Sequence, residues 1–125
     1  MKTILISSKA PKPVGPYSQA VSYGELIYTS GQVGINTEGK FVSEEIQDQT
    51  RQVLENLKSI LEDNGSSLEN VIKTTVFLKD MNDFKPMNEI YEGYFGSSLP
   101  ARSTVAVAGL PLGARVEIEV IAFKK

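Results

Sequence analysis

The sequence predicts a single α+β domain with six strands and two helices in the order β-β-β-α-β-α-β-β. Two segments, residues 45–64 and 84–95, repeat apolar residues at helical spacing. Six short segments are rich in β-branched and aromatic residues and are bounded by turn-forming residues. The length of 125 residues suits one domain spanning residues 1–125, without repeats or a linker.

The chain begins with a predicted strand and an ordered loop. Thr3–Ser7 is a short run rich in β-forming residues. Lys9–Pro16 contains three of the six prolines, which argue against a helix or a central strand. This loop delivers Tyr17, which is either a packing residue at the end of the loop or a residue whose hydroxyl points into a site.

A β-hairpin is predicted next. Ser18–Tyr23 and Leu26–Val33 form its strands, and a glycine at the first position of the two-residue loop, Gly24, suits a type II′ turn. The second strand contains Gly31. Glycine within a strand marks either a bulge or a place where another group approaches the backbone closely.

A turn and a long helix follow. Asn36–Gly39 has Asn first and Gly fourth, the residues that β-turns prefer at these positions. A helix is predicted from about Glu45 to Asn64, and Gly65 suits its end. One face of this helix is apolar and carries Ile46, Val53, Leu54, Leu57, Ile60 and Leu61.

The strongest predicted strand is Asn70–Lys79. One face is expected to carry Ile72, Thr74, Val76 and Leu78, and the other Val71, Lys73, Thr75 and Phe77. Asp80–Asp83 is a predicted loop and cap, and a second helix then runs to Phe95. A strand, a long helix and a second strand predict a right-handed crossover between parallel strands.

The last two predicted strands are Arg102–Val107 and Arg115–Phe123, joined by the loop 109–113. Two helices cover one face of the sheet and leave the other face open. On the last strand, this open face is expected to carry Arg115, Glu117, Glu119, Ile121 and Phe123. Because it mixes aromatic and charged residues, we predict an oligomer with polar pockets near the subunit contacts. The alternative is a monomer with a solvated face.

Composition excludes several kinds of function. The chain has no cysteine and no histidine, which removes thiol and Ser-His nucleophiles and argues against a transition-metal site. A net charge of −2 without a dense basic run argues against strong nucleic-acid binding. No stretch is apolar enough to span a membrane or act as a signal peptide, so we expect a cytoplasmic protein.

Two segments near the C-terminus carry the predicted chemistry. Arg102 stands alone in a run of small and apolar residues, and its planar guanidinium fits a carboxylate with two hydrogen bonds. Glu117 lies in a strand of β-branched residues, where a partly buried carboxylate acts as an acid or base. We hypothesise that Arg102 binds a small anionic substrate and that Glu117 handles water and protons. The alternative is a cross-strand ion pair between Arg102 and a glutamate.

The order and spacing of six segments closely resemble the reactive intermediate deaminase family, also called the YjgF family. These segments are Val14–Ala20, Tyr28–Val33, Gln49–Leu57, Ile72–Leu78, Met87–Tyr91, and Pro100–Ser103 followed by Val116–Glu119. The resemblance implies a chorismate-mutase-like α+β fold and a homotrimer with ligand clefts between subunits. It implies hydrolysis of 2-aminoacrylate, 2-iminopropanoate or 2-iminobutanoate to the 2-keto acid and ammonia, without a metal or organic cofactor.

The resemblance also implies roles for individual residues. Arg102 matches the family's carboxylate-binding arginine and Glu117 its water-activating glutamate. The positions that match pocket-lining residues are Tyr17, Ser30, Gly31 and Asn88. Thr104 stands where relatives often have cysteine, which excludes a thiol function here and leaves a backbone contact. Two other functions stay open: a regulatory protein that senses a small carboxylate, and a ribonuclease or translation inhibitor.

Overall fold

The computed structural model describes residues 1–125 and packs two helices against one face of a mixed sheet, which confirms the α+β prediction. The helices are α1 (Ile46–Glu62) and α2 (Phe84–Phe95). The strands are β1 (Thr3–Leu5), β2 (Ala20–Tyr23), β3 (Leu26–Thr29), β4 (Gln32–Val33), β5 (Val71–Leu78), β6 (Ala101–Ala106) and β7 (Val116–Phe123). Their order in the sheet is β1-β2-β3-β7-β5-β6, and β4 also pairs with β7.

The sheet has seven strands rather than the predicted six, because the third predicted strand is interrupted. β3 ends at Thr29 and β4 begins at Gln32, and both pair with β7 in antiparallel orientation. At the break, the Ser30 backbone N–H donates to the Gln19 carbonyl oxygen. The interruption at Ser30 and Gly31 therefore falls at the one glycine inside the predicted strand.

The strands on either side of α1 run parallel, as predicted, but they are not neighbours. β3 and β5 both pair with β7 in antiparallel orientation, so β7 lies between them. The adjacent parallel pair is β5 and β6, which α2 connects. The last strand of the chain therefore occupies the centre of the sheet, and β6 lies at an edge.

The predicted faces of β5 are wrong at its first two residues. The pairing with β7 shifts between Val71 and Lys73, which is a β-bulge. As a result Val71 is 5% exposed and Ile72 is 45% exposed, the reverse of the expected alternation. From Lys73 onward the predicted alternation is confirmed, with Thr74 and every second residue after it buried.

The predicted turns are confirmed. Tyr23 and Leu26 pair across the first hairpin, and Gly24 has a φ of 62°. The Gly39 backbone N–H donates to the Asn36 carbonyl oxygen at 2.9 Å, which closes the second turn. Gly65, which follows α1, has a φ of 82°, the left-handed conformation that glycine tolerates at the end of a helix.

The core lies between the sheet and the helices, and β7 crosses it with strict alternation. The buried residues of β7 face the helices; they are Val116, Ile118, Val120 and Ala122. Glu117, Glu119, Ile121 and Phe123 lie on the open face, as predicted. No helix of the chain combines the length and apolar character needed to cross a membrane.

Arg115 does not lie on the open face, and that prediction is wrong. It precedes β7, and its Nε and Nη2 atoms donate to the two carboxylate oxygens of Asp83 at 3.2 and 2.8 Å. Its backbone N–H donates to the side-chain oxygen of the buried Gln49. Arg115 thus ties the start of β7 to α1 and to the start of α2, which is a structural role.

Candidate functional site

The Arg102 side chain lies at the edge of the sheet, beneath α2. Arg102 on β6 pairs with the buried Thr74 on β5, and paired residues project from the same face of the sheet. The Arg102 side chain therefore projects toward the helices. The guanidinium carbon stands 4.6 Å from the ring centre of Tyr91 and 5.4 Å from that of Phe84. Its Nη1 atom donates to Asn88 Oδ1 at 2.6 Å. The remaining donors of the guanidinium make no hydrogen bond within the chain.

Tyr91, which the sequence analysis placed in an apolar stripe and in a family segment but not among the site residues, fixes the plane on which Arg102 rests. Its hydroxyl and Thr74 Oγ1 are 2.7 Å apart in a buried hydrogen bond. Burial raises the pKa of the Tyr91 phenol, and this effect is opposed by the hydrogen bond from Thr74 and the positive charge of Arg102. The ring therefore remains a neutral platform on which a cation is attracted to the aromatic face.

A cavity of about 410 Å³ opens beside the guanidinium. Its polar side is formed by Asn88, Tyr91, Glu92 and Arg102, and its apolar side by Phe95, Leu99 and Pro100. We call these residues the arginine half. The free donors of a fixed guanidinium beside apolar walls are suited to a small carboxylate with a short alkyl group.

Glu117 lies on the opposite, open face of the sheet, in the central strand β7. Its side chain passes so close to Gly31 that a Cβ atom at residue 31 would lie 2.6 Å from Glu117 Oε2. Its carboxylate is half-buried and makes no hydrogen bond or ion pair within the chain. Burial raises the pKa of the Glu117 carboxyl above its ordinary value, and the negative charge of Glu119 raises it further. These are properties of a general base.

Gln19 builds the loop that faces Glu117, although the sequence singled it out only as part of a family segment. Gln19 is buried, and its Nε2 atom donates to the carbonyl oxygens of Ser7, Ala10 and Pro11, while its Oε1 atom accepts from the Ser7 backbone N–H at 2.6 Å. These bonds fix the proline-rich loop that carries Tyr17.

Tyr17, Gly31 and Glu117 line one cavity of about 150 Å³, together with Leu112 from the loop before β7. We call these four residues the glutamate half. The Tyr17 hydroxyl accepts a hydrogen bond from the Val14 backbone N–H at 3.4 Å. The Tyr17 side chain thus lines this cavity, while its hydroxyl is bonded to the backbone of its own loop.

The two remaining predicted site residues lie outside both cavities. Ser30 Oγ donates to the Ser18 carbonyl oxygen at 2.6 Å, which holds the chain at the break between β3 and β4. Thr104 follows Arg102 by two residues on β6 and shares its face of the sheet. The Thr104 Oγ1 atom is buried and has no hydrogen-bond partner.

Within one chain, the fold separates the arginine half from the glutamate half. β5 lies between the strands that carry Arg102 and Glu117, and the two side chains project from opposite faces of the sheet. None of the chain's ion pairs includes either residue, so the alternative of a cross-strand ion pair is wrong. Within one chain, Arg102 and Glu117 therefore line two separate cavities.

An α+β sheet with a cradled guanidinium at one edge and a free carboxylate at its centre is typical of a small-molecule-binding fold. The family model described as Endoribonuclease L-PSP matches residues 7–124. The chain belongs to this family, the reactive intermediate deaminase family that the sequence resembles.

Similar proteins come from distant organisms. A RutC family protein of Pyrococcus horikoshii is 54% identical over 100% of both chains. The 2-iminobutanoate/2-iminopropanoate deaminase of Mus musculus is 50% identical and covers 98% of this chain and 91% of its own. The crystal structure of E. coli TdcF with bound serine superimposes with a TM-score of 0.92 at 40% identity, covering 98% of this chain and 99% of that one.

Proposed function

We propose that this protein hydrolyses reactive imines and enamines, such as 2-iminopropanoate, 2-iminobutanoate and 2-aminoacrylate, to 2-keto acids and ammonia. The observation that carries the proposal is the unpaired, half-buried carboxylate of Glu117, pressed against Gly31 with a raised pKa. The identity to the mouse deaminase over almost the whole chain supports the same reaction.

Arg102 would bind the carboxylate of the substrate. Asn88 and the two aromatic rings hold the guanidinium, so its free donors are oriented before the ligand arrives. Such preorganisation lowers the entropic cost of binding. The serine in E. coli TdcF is a small ligand that carries a carboxylate, which supports a site of this class.

Glu117 would act on water. As the water oxygen bonds to C2 of the imine, the Glu117 carboxylate takes one water proton and passes it to the imine nitrogen, which gives a carbinolamine and leaves Glu117 ionised. Glu117 then moves the hydroxyl proton of the carbinolamine to the amine nitrogen, the C–N bond breaks, and ammonia leaves as the carbonyl forms. The substrate carbon is already electrophilic, so these two transfers and correct orientation account for the reaction.

We further propose that the protein is a homotrimer in which the arginine half of one subunit meets the glutamate half of the next. The separation of the two halves on opposite faces of one sheet supports this arrangement. The open face also exposes large apolar side chains, including Tyr28, Val105 and Phe123, and a partner would cover them.

The other site residues would support these two. Tyr17 and Gly31 shape the space around Glu117, and Asn88 orients Arg102. Ser30 holds the backbone next to Gly31 through its bond to Ser18. Thr104 would contribute its backbone to the ligand site, beside the unpaired hydroxyl on the same strand.

A coupled assay tests the reaction. A serine or threonine dehydratase releases the imino acid, and keto-acid formation is followed with and without this protein. The wild-type protein accelerates keto-acid release, and Glu117→Ala abolishes the acceleration. Arg102→Met raises KM by about tenfold or more, since a hydrogen-bonded charge pair is lost. Binding of 2-oxobutanoate without acceleration would instead support a sensor, and cleavage of RNA by nuclease-free protein would support a ribonuclease.

Mixing two impaired variants, assayed at substrate concentrations far below KM, tests the shared site. Glu117→Gln retains an intact arginine half, and Arg102→Met retains an intact glutamate half. After joint refolding in equal amounts, about a quarter of the inter-subunit sites receive both intact halves in a cyclic trimer. Recovery of about that share of activity supports the proposal, whereas no recovery with mixed oligomers present would overturn the shared site.

A further inference from the structure

Two leucines have backbone conformations that leucine avoids. Leu99 has a φ of 50° and Leu112 a φ of 60°, and every other residue with positive φ is glycine. A branched side chain in this region is strained, and such strain persists in structures where the side chain or backbone serves a function.

The turn that contains Leu112 shows why leucine is unfavourable at this position. The Ala114 backbone N–H donates to the Pro111 carbonyl oxygen, and the two central residues, Leu112 and Gly113, both have positive φ. Turns of this type favour Asn-Gly at the centre because asparagine tolerates left-handed backbone. Leucine therefore stands where asparagine or glycine fits the backbone better.

Packing within the chain does not explain either leucine. Leu99 is 76% exposed and Leu112 is 64% exposed. Neither residue belongs to the hydrophobic core. Each is both strained and largely exposed to water, so neither conformation nor burial favours leucine at these positions.

The location of the two leucines in the cavities explains why leucine occurs at these positions. Leu99 lines the cavity that contains Arg102, and Leu112 lines the cavity that contains Glu117. The two strained leucines of the chain thus lie one in each half of the candidate site. An imino acid bound by its carboxylate and attacked at C2 still has an alkyl group that needs an apolar contact.

We propose that Leu99 and Leu112 form the apolar wall against which the alkyl side chain of the imino acid packs, and that they set the preference for alkyl length. The inference rests on the proposed function. The enzyme tolerates the strain because glycine or asparagine would satisfy the backbone but remove the apolar contact with the substrate.

The test compares alkyl lengths in leucine variants. An amino-acid oxidase generates imino acids from alanine, 2-aminobutyrate and leucine, and kcat/KM is measured for each with Leu112→Asn and Leu99→Asn. Asparagine is close to leucine in size but polar, and it tolerates positive φ. We expect the preference for the longer alkyl groups over the methyl group to fall by about tenfold, the low end for one methylene contact.

Thermal stability separates this role from a structural one. Both Asn variants are expected to keep or raise Tm, because strain is relieved and little buried area is lost. The Ala variants should lose the preference without any rise in Tm. Met81→Ala, at an exposed residue that lines neither cavity, is the control and should change neither quantity.

Three results would overturn the inference. These are an unchanged ratio between substrates, an equal loss of kcat/KM for all of them with a lower Tm, and a changed oligomer mass. If the wild-type protein lacks turnover, the proposed reaction has failed. The wall is then judged by the ratio of Kd values for 2-oxopropanoate and 4-methyl-2-oxopentanoate, which the Asn variants must reduce.

Discussion

The two halves of the candidate site are built on opposite principles. Arg102 is held in place by an amide oxygen and by two aromatic rings, which leave its remaining donors free. No side chain holds the Glu117 carboxylate, which lies against a glycine and accepts no hydrogen bond within the chain. A binding group gains from being fixed before the ligand arrives, whereas a base gains from keeping its lone pairs free.

The halves also differ in how the fold supports them. The arginine half depends on α2, which supplies Asn88 and Tyr91 from one helical turn above the edge strand. The glutamate half depends on the break after β3 and on a loop fixed by the buried Gln19. Changes in the first half should therefore affect affinity, and changes in the second should affect turnover.

The largest expected effect comes from Glu117→Gln, which removes the base and preserves the shape. We expect kcat to fall by about 10²- to 10⁴-fold, the usual contribution of general acid–base catalysis. The Kd for 2-oxobutanoate, measured by calorimetry, should stay within about threefold because Arg102 is intact. A parallel loss of binding would show that the halves are not separate in function.

Gly31→Ala should give the next largest effect. The added Cβ would meet the Glu117 carboxylate at 2.6 Å, and Gly31 has no positive φ that would add backbone strain. Glu117 must move, and a displacement of this size costs about 100-fold in kcat. Gly93→Ala is the matched control, because its Cβ meets nothing within 4 Å. Wild-type kcat in Gly31→Ala would contradict the position of Glu117.

Tyr91 tests the arginine half with a smaller effect. Tyr91→Leu removes the ring beneath the guanidinium, so we expect KM to rise by about 3- to 30-fold at nearly constant kcat. Tyr91→Phe keeps the ring but leaves the buried Thr74 hydroxyl unpaired, so Tm should fall while KM changes little. An equal rise in KM for both variants would contradict the role of the aromatic face.

The fold could be predicted where local patterns decide it. The alternation from Val116 to Ala122 and the helical stripes gave correct elements, and the interrupted strand was marked by Gly31. The bulge that reverses Val71 and Ile72 was not predicted, because a bulge depends on the partner strand. Arg115 was misplaced for a similar reason, since its partner Asp83 is distant in sequence.

Arg102 and Glu117 each line a cavity, but the sequence does not show how the two residues are arranged in the fold. Chemistry and resemblance single out Arg102 and Glu117, yet their separation follows from the order β7-β5-β6, which is a property of the whole sheet. The supports of the site were also missed. Gln19 and Tyr91 are buried polar residues whose partners come from the folded chain, so no local pattern distinguishes them from ordinary packing residues.

The smallest expected effect is a shift in pH dependence from Glu119→Gln. The Glu117 pKa is raised by burial and by the charge of Glu119. As the pH decreases, kcat/KM should therefore begin to fall at a pH above 4.5, the ordinary pKa of glutamate. Removing that charge lowers the Glu117 pKa and moves this limb to lower pH, while Glu89→Gln on α2 leaves it in place.

The raised pKa of Glu117 also makes the free energy of unfolding depend on pH. The folded state holds the Glu117 proton more tightly than the unfolded state, so the free energy of unfolding declines as pH rises above 4.5 through the folded pKa. In urea unfolding, the free energy of unfolding should decline less with rising pH in Glu119→Gln than in the wild-type protein. If the acidic limb of kcat/KM stays in place in this variant, burial alone raises the Glu117 pKa.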